Sequence, residues 1–341
     1  MLILANLADT RPTWSPQDEE AFVQPLIDAV AIGRNEGQRL VRCLDSLLAA
    51  GFRQIVYVDS GSTDNSIAEA EARGVMVVRL DLSTPFTAAR ARNAGVAALQ
   101  GGQADYIQFI DGDCILELGW LPEAARFLKE APKAAVACGR LREIAPEASL
   151  YNRLIDHEWN TPIGQTKACG GIALIRSEAF HAVGGFNPTL IAGEEPELCL
   201  RLRHVGWEIW RLDAEMARHD AAMHRFGQWW RRARRAGYSY ALGAASHGQK
   251  PERHNVAQTS RALIWGLGIP ITAILGAILV HPLMLALLLA WPLQVVRLWR
   301  RDRDLTRAAF MTLGKFPEAL GAVEFLSKRI ACRKEKLIEY K

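Results

Sequence analysis

An apolar run that leads straight into two aspartates, ADYIQFIDGDC at residues 104–114, is the most informative stretch of this sequence. Its residue types favour a buried β-strand over residues 104–110, which runs directly into Asp111. Asp111 and Asp113 then follow the carboxyl end of that strand, which is where open α/β sheets bind ligands. Two carboxylates one residue apart can share a hard divalent cation with a diphosphate, because such cations prefer oxygen ligands. A plain Asp-Gly-Asp turn is the competing interpretation.

The segments around this run alternate short apolar stretches with helical ones. The predicted strands nearest to it are LIDAVAIG (26–33), QIVYVD (54–59) and VMVVRL (75–80). Residues 36–50 place their leucines on one helical face before Gly51, a typical helix end. This alternation predicts βαβ units in a mainly parallel sheet. We expect residues 146–167 to be rich in loops and residues 1–24 to be an irregular leader, unlike a signal peptide.

The overall composition excludes several classes of protein. The chain has 341 residues, half of them hydrophobic, which suffices for one large domain and an appendage. Lys and Arg number 41 against 37 Asp and Glu, and a net charge of +4 argues against a nucleic-acid binder with a broad phosphate footprint. The six cysteines include no CxxC pair, which indicates reduced, cytosolic thiols rather than a zinc site.

A long uncharged stretch towards the C-terminus predicts a membrane segment, since residues 262–296 contain no Asp, Glu, Lys or Arg. We predict a transmembrane hairpin over residues 261–297, with legs at 262–280 and 282–296 and the turn at His281. The flanking arginines place both ends, and the rest of the chain, on the cytoplasmic side of the inner membrane: Arg261, Arg297, Arg300, Arg301 and Arg303. A re-entrant loop is the alternative.

Two further segments adjoin the hairpin. Residues 223–240, at the start of a linker that runs to residue 260, form an amphipathic pattern that gathers these residues on one side: Phe226, Trp229, Trp230, Ala233, Gly237 and Tyr240. With arginines on its other side, this helix is predicted to lie in the lipid headgroup plane; a helix that packs against the domain is the alternative. RNA binding ranks below both, because no RNP-type signature accompanies the pattern. Residues 298–341 are predicted to be a basic cytoplasmic tail.

Other candidate residues each have a structural alternative. SGSTDNS at 60–66 is an anion cradle or a capped helix start. Neither GxxxxGK[ST] nor GxGxxG is found, which weakens the kinase, GTPase and dehydrogenase interpretations. Glu194 and Glu195 suit either a general base or the first turn of a helix. His219 is either a third metal ligand or a structural histidine.

Six motifs in order resemble those of the family-2 glycosyltransferases of the GT-A fold, over about residues 27–220. They are AIGRNEG (31–37), VYVDSGSTDNS (56–66), ARARNAG (89–95), FIDGDC (109–114), CGGIALIR (169–176) and GEEPELCLRLR (193–203), ahead of His219. The resemblance implies an α/β fold: a GT-A-like, mainly parallel sheet flanked by helices over residues 25–222, followed by the membrane hairpin.

The resemblance also implies roles for particular residues. The nucleotide-binding residues of such enzymes match Ile32, Arg34, Asp59, Arg92 and Asp111, with Asp111 nearest the ribose. The metal ligands for Mg²⁺ or Mn²⁺ match Asp113 and His219, and the catalytic base matches Glu195 with Glu194 as the alternative. The sequence departs from the family pattern at Ser60, where many members have Asp, and at Glu195, which replaces the usual Asp.

The implied activity is that of an inverting glycosyltransferase that moves one sugar from a nucleotide-sugar donor to an acceptor presented at the membrane. The QxxRW motif of processive synthases is absent, because Gln228 is followed by WWRR, which favours addition of a single sugar. We expect a lipid-linked saccharide of bacterial surface-polysaccharide synthesis as acceptor. The alternatives are a polyprenyl phosphate acceptor, an inactive membrane-bound nucleotide-binding protein, and a nucleotidyltransferase that releases pyrophosphate.

Overall fold

The computed structural model describes residues 25–331, and its centre is a nine-stranded mixed sheet. The strands are β1 (Ile27–Gly33), β2 (Gln54–Asp59), β3 (Met76–Arg79), β4 (Tyr106–Asp111), β5 (Cys114–Leu116), β6 (Ala134–Glu143), β7 (Gly164–Gln165), β8 (Ala173–Arg176) and β9 (Glu208–His219). Their order across the sheet is β3-β2-β1-β4-β8-β6-β9-β5, and β7 pairs with β9. The predicted α/β fold is thus confirmed.

The first four strands of this order place the ends of three strands side by side. β1 pairs in parallel with both β2 and β4, so Gly33 lies opposite Asp59 and Ile32 lies opposite Asp111. The strand order therefore reverses at β1, since the chain continues to β2 on one side and later returns to place β4 on the other. Open α/β sheets bind ligands in the crevice at such a point. Beyond β4 the sheet becomes mixed, because β8 runs antiparallel to both β4 and β6.

Helices cover both faces of the sheet. They are α1 (Gln38–Ala50), α2 (Ser66–Ala72), α3 (Ala88–Ala98), α4 (Trp120–Glu130), α5 (Leu150–Trp159), α6 (Ser177–Ala182) and α7 (Glu194–His204). The amphipathic pattern of α1 buries Leu40, Leu44 and Leu47 against the sheet, as apolar residues three and four positions apart should. Gly51, with φ at 79°, ends the helix in the left-handed conformation that glycine adopts without strain.

The prediction of a loop-rich segment at 146–167 is wrong, because α5 occupies ten of its residues. Ser149 caps this helix by accepting a hydrogen bond from the Asn152 backbone N–H at 2.9 Å. The helix is fixed by tertiary contacts: the Asn152 side chain donates to Glu143 and accepts from the Met223 N–H. Within the motif CGGIALIR (169–176), only the last four residues form a strand, because β8 begins at Ala173.

The C-terminal third is helical. It consists of α8 (Phe226–His247), α9 (Val256–Leu279), α10 (Pro282–Asp302), α11 (Leu305–Leu313) and α12 (Lys315–Ile330). The prediction of a basic tail over 298–341 is therefore wrong for residues 298–331, since α11 and α12 fold back onto α8. The contact is close at Gly237, where an added Cβ would lie 1.9 Å from the Glu318 carbonyl oxygen. Residues 1–24 and 332–341 lie outside the described part of the chain.

The aromatic side of α8 packs mainly inside the protein. Trp229 is buried, and its ring lies 4.9 Å from that of Phe310 on α11, while Gly237 is buried against α12. Phe226 at the start of the helix is 45% exposed. Most of this face thus follows the domain-packing alternative.

Helices α9 and α10 are each long and apolar enough to cross a membrane, with 24 and 21 residues. They pack against each other, and most of their surface faces outward. Helix α10 extends past the uncharged stretch to Asp302, so the second leg is longer than the 15 residues that the sequence predicts.

Candidate active site

A buried arginine joins two of the predicted site residues at the end of β4. Arg92 on α3 is 2% exposed, and its two terminal nitrogens donate to Asp111 Oδ1 and to Glu194 Oε1, each at 2.8 Å. Burial alone would lower the pKa of Arg92, but the two carboxylates raise it, so the guanidinium stays charged. Because removal of one partner would leave a buried charge uncompensated, this bridge locks α3, β4 and α7 together.

Glu194 takes part in this bridge through Oε1. Burial alone would raise the pKa of its carboxyl, but Arg92 holds that pKa below its usual range. A carboxylate that is paired in this way is a weaker proton acceptor than a free one. The arrangement holds Glu194 against Arg92.

Glu195 has different partners. Its Oε1 accepts hydrogen bonds from the Cys169 backbone N–H and from the Cys199 thiol, the latter at 3.1 Å. The hydrogen bond with Cys169 and burial raise the pKa of Cys199 well above its usual range, so Cys199 remains a thiol that can donate. Within residues 25–331 no hydrogen bond to Oε2 of Glu195 is found, and this carboxylate lines the cavity described below. One oxygen is thus anchored, and the other can take a proton.

Asp113 and His219 meet where β5 pairs with the end of β9. Asp113 is 4% exposed, and its Oδ2 lies 3.3 Å from His219 Nε2. An imidazole nitrogen and a carboxylate that converge in this way fit a cation such as Mn²⁺, with Asp111 nearby. Cys114 lies in the same cluster, but burial raises its thiol pKa well above the usual range, and hard cations do not favour thiols.

Two residues that the sequence did not single out surround His219. Glu143 Oε2 lies 3.9 Å from His219 Nδ1, and the Trp159 ring meets the imidazole edge-on at 4.7 Å. Glu143 is itself held by the Ala221 N–H at 3.1 Å and by Asn152. Among the described residues His219 Nδ1 has no hydrogen-bond partner, so Glu143 is the nearby carboxylate that this nitrogen faces without being hydrogen-bonded to it.

The remaining predicted residues form a separate group at the ends of β1 and β2. Asp59 is 2% exposed and accepts from the Gly61 and Ser62 N–H groups and from the Tyr57 hydroxyl. Arg34 donates to the Gly61 carbonyl and lies over the Phe86 ring. The carbonyl of Ile32 accepts from the Gly112 N–H at 2.8 Å. Asp59 thus shapes the turn of the SGSTDNS segment, and this group does not line the cavity that contains Glu195.

An open cavity of about 440 Å³ lies beside the bridge from Asp111 through Arg92 to Glu194. Its lining includes Arg92, Asp111, Glu158, Trp159, Cys169, Glu194, Glu195, Arg211 and Arg232. A second cavity beside it is lined by Asp111, Trp159, His219 and Arg232. Arg232 on α8 pairs with Glu158 at 2.7 Å, so α8 closes one wall of the site. Glu158 had no sequence signal, and although Cys169 and Arg232 stand in patterns described above, only packing shows that they line this cavity.

Comparisons with known proteins agree with this architecture. Residues 30–183 match the family model for glycosyl transferase family 2, and residues 153–225 match that for the N-terminal domain of galactosyltransferase. Two pre-mycofactocin glycosyltransferases of Mycobacterium tuberculosis, from strains CDC 1551 / Oshkosh and ATCC 25618 / H37Rv, are each 27% identical over 236 residues, or 64% of this chain and 47% of theirs. The chain spans about half the length of these curated relatives.

Among solved structures, a mannosyltransferase from Pyrobaculum calidifontis, in complex with GDP-Man and Mn²⁺, has a similar fold. Its TM-score is 0.62 at 16% identity, covering 89% of this chain and 87% of its own. The family match, the order of the motifs and the strand arrangement agree: residues 30–183 are a glycosyl transferase family 2 domain, and the chain has a GT-A-like fold.

Proposed function

We propose that this protein is an inverting glycosyltransferase that moves one sugar from a nucleotide-diphosphate-sugar to an acceptor presented at the membrane. The observation that carries the proposal is the bridge from Asp111 through Arg92 to Glu194, with Glu195 next in the chain. It holds the predicted donor side and the predicted base side of one cavity in fixed relation. The GDP-Man and Mn²⁺ of the mannosyltransferase support a nucleotide-sugar donor and a divalent cation.

Separate groups of residues bind the donor, hold the metal ion and supply the base. Asp59, Arg34 and Ile32 bound the nucleotide region, and Asp111 offers a half-exposed carboxylate to the ribose. Asp113 and His219 would hold Mg²⁺ or Mn²⁺, which stabilises the charge that develops on a departing diphosphate. Glu195 accepts the proton of the attacking acceptor hydroxyl at Oε2, while Cys199 and the Cys169 N–H hold Oε1 still. A single displacement inverts the anomeric carbon.

The C-terminal helices support an acceptor that arrives from a membrane. Helix α8 contributes Arg232 to the cavity and leads into α9 and α10, whose outward faces are apolar. A site wall connected to a lipid-embedded hairpin would receive a lipid-linked saccharide without extracting its tail from the bilayer. We place both flanks of the hairpin on the cytoplasmic side of the inner membrane, on the arginine pattern.

Product identification tests the proposal. Full-length protein with a panel of nucleotide-sugars and Mn²⁺ should release a nucleoside diphosphate and form an inverted glycoside. Release of pyrophosphate would assign a nucleotidyltransferase instead. If neither transfer nor metal-dependent donor hydrolysis occurs with any donor that raises the melting temperature, the protein is an inactive nucleotide binder and the proposal is wrong.

The two acceptor classes are separated by Glu195→Gln. A saccharide hydroxyl needs a base, so this variant should lose transfer to a lipid-linked saccharide. A polyprenyl phosphate is already ionised and would react almost normally in the same variant.

Topology is tested by placing single cysteines at positions 281 and 248 in intact cells. An impermeant thiol reagent should modify position 281 and spare position 248. The reverse pattern would contradict the proposed orientation.

A further inference from the structure

Arg211 on β9 is a buried arginine to which the proposed function gives no role. Its side chain is largely enclosed, with the residue 7% exposed, and one of its terminal nitrogens donates to the Trp159 carbonyl at 3.1 Å. It lines the cavity that contains Glu195 and also a smaller adjoining cavity. The guanidinium therefore faces open space at the edge of the candidate active site.

A second arginine lies beside it. Arg140 on β6 lines the smaller cavity as well, together with the segment Asn160, Thr161, Pro162 and Ile163. Arg140 contacts the Asn160 side-chain oxygen, and its buried Nε has no hydrogen-bond partner. Two arginines thus border one cavity, and one of them has an N–H donor without a partner.

In the part of the chain that the structure describes, neither arginine forms an ion pair with a carboxylate. Glu215, the acid nearest in register to Arg140, is engaged by Arg142 at 3.0 Å. Asp213 borders the smaller cavity but is exposed and lies beyond ion-pair distance of both arginines. Burial lowers the pKa of Arg211 and Arg140 adds to this effect, while the charge of Glu215 opposes it without forming an ion pair. A buried cation held next to a like charge is costly unless an anion joins it.

We infer that Arg140 and Arg211 form an oxyanion subsite that binds a carboxylate or phosphate group carried by the acceptor. This inference rests on the proposed function for the identity of the acceptor, but the anion-binding chemistry stands on the two guanidinium groups. Arginine presents two parallel N–H donors that match a carboxylate or a phosphate.

The position of the pair assigns it to the acceptor rather than to the donor. The smaller cavity, which both arginines border, is lined by none of the predicted donor residues: Arg92 and Asp111 line the larger cavity but not this one, and Arg34 and Asp59 line neither. Trp159, whose carbonyl accepts from Arg211, borders the space between this pair and His219. An anion bound here would hold an acceptor on the Glu195 side of the cavity.

Binding of simple anions to the full-length protein tests the inference without any transfer assay. Inorganic phosphate and acetate are titrated separately, with no divalent cation present, into the wild type and into Arg211→Gln, Arg140→Gln and Arg211→Lys. At least one of the two anions should bind the wild type and lose about tenfold or more in affinity in both glutamine variants, the scale of a lost charge-assisted hydrogen bond. Arg211→Lys should retain part of the binding. The exposed Arg126→Gln on α4 is the matched control and should bind as the wild type does.

Two further readouts separate ligand binding from a structural role. Because Arg211 is buried and forms no ion pair among the described residues, Arg211→Gln should melt no lower than the wild type in the absence of anions. Binding of a nucleoside diphosphate with Mn²⁺ should be unchanged in that variant. The inference is overturned if neither anion binds the wild type, if binding survives in both glutamine variants, or if nucleotide binding falls in parallel. Failure of the proposed function would instead appear as a wild type without transfer or donor hydrolysis.

Discussion

Residues 27–219 build a sheet whose apolar side chains are enclosed by helices, whereas α9 and α10 present theirs to the outside. Val30 and Leu44 have no exposed surface, but Ile278 and Leu279 are 73% and 77% exposed. Both regions are rich in leucine, isoleucine and valine, so hydrophobicity alone does not distinguish them. The difference lies in what covers the apolar surface. Helices cover it in the sheet region, but the described residues leave most of the apolar surface of α9 and α10 exposed.

The two regions therefore contribute differently to the free energy of unfolding. In the sheet region, burial of apolar side chains stabilises the fold by about 25 cal/mol for each Å² removed from water. The outward faces of the hairpin gain little of this within the described part of the chain. The same substitution should therefore have different effects in the two regions.

Leu44→Asp and Leu293→Asp test this difference most directly. Leu44 lies in the core, and an unpaired carboxylate there should prevent stable folding, at a cost of several kcal/mol. Leu293 is 67% exposed on α10, so Leu293→Asp should keep the melting temperature in detergent nearly unchanged. Its membrane insertion should become less favourable by about 3 kcal/mol. If Leu293→Asp also unfolds the protein in detergent, a soluble partner surface rather than lipid covers α10.

Asp113→Asn should abolish metal-dependent turnover. It removes a charged oxygen donor at the point where His219 Nε2 approaches within 3.3 Å. Activity is measured over a range of Mn²⁺ concentrations, with the exposed Asp45→Asn as control. Asp111→Asn should weaken nucleotide binding as well. Normal turnover of Asp113→Asn at limiting metal would contradict the assignment of this residue.

Glu195→Gln should lose about a hundredfold or more in transfer while binding the nucleotide normally, the usual scale for a positioned base. Glu194→Gln makes the matched comparison, because it breaks the ion pair with Arg92 and leaves Glu195 intact. That variant should mainly lose stability and donor affinity. Steady-state kinetics and nucleotide titrations on both variants decide the assignment. If Glu194→Gln loses transfer but binds the donor normally, and Glu195→Gln remains active, the base is Glu194 rather than Glu195.

The sequence predicts the parts of the fold in which local pattern and tertiary environment agree. β1, β2 and β4 are apolar runs of strand length, and both of their faces are covered, so hydrophobicity alone reveals them. α5 escapes this reasoning because few of its side chains are buried, and its position depends on Asn152 and Glu143. α12 escapes it because Gly321, where α8 approaches most closely, shows no hydrophobic signal.

The candidate site divides in the same way. Its acids and His219 stand in recognisable motifs at the ends of strands or helices, which the sequence displays. Arg211 and Cys199 lie within regular elements whose spacing resembles that of any strand or helix. Their importance comes from what they face, and that depends on the pairing of β6 with β9 and on the packing of α7.

The smallest expected effect is on the pH dependence of stability, which should have opposite signs for two carboxyl groups. Glu194 in the sheet region has a lowered pKa, because Arg92 outweighs the effect of burial, so its ionised form stabilises the fold. That contribution is present above the pKa of an unfolded glutamate and is lost as pH falls through the lowered value. Glu318 on α12 has a raised pKa, because burial outweighs Lys315. Its contribution is greatest below the unfolded pKa and is lost as pH rises through the raised value.

Chemical unfolding in detergent between pH 3 and pH 8, as a range about the glutamate pKa, measures both effects. Glu194→Gln should be about 1 to 2 kcal/mol less stable than the wild type at neutral pH, a gap that closes in acid as the wild-type carboxylate is protonated. Glu318→Gln should be nearly as stable as the wild type in acid and should gain relative to it as pH rises, because the wild type must then ionise a buried carboxyl. The two difference curves must slope in opposite directions. Parallel curves would mean that the Glu194 carboxylate is not held by Arg92 in solution, and the bridge that fixes the two sides of the candidate site would be absent.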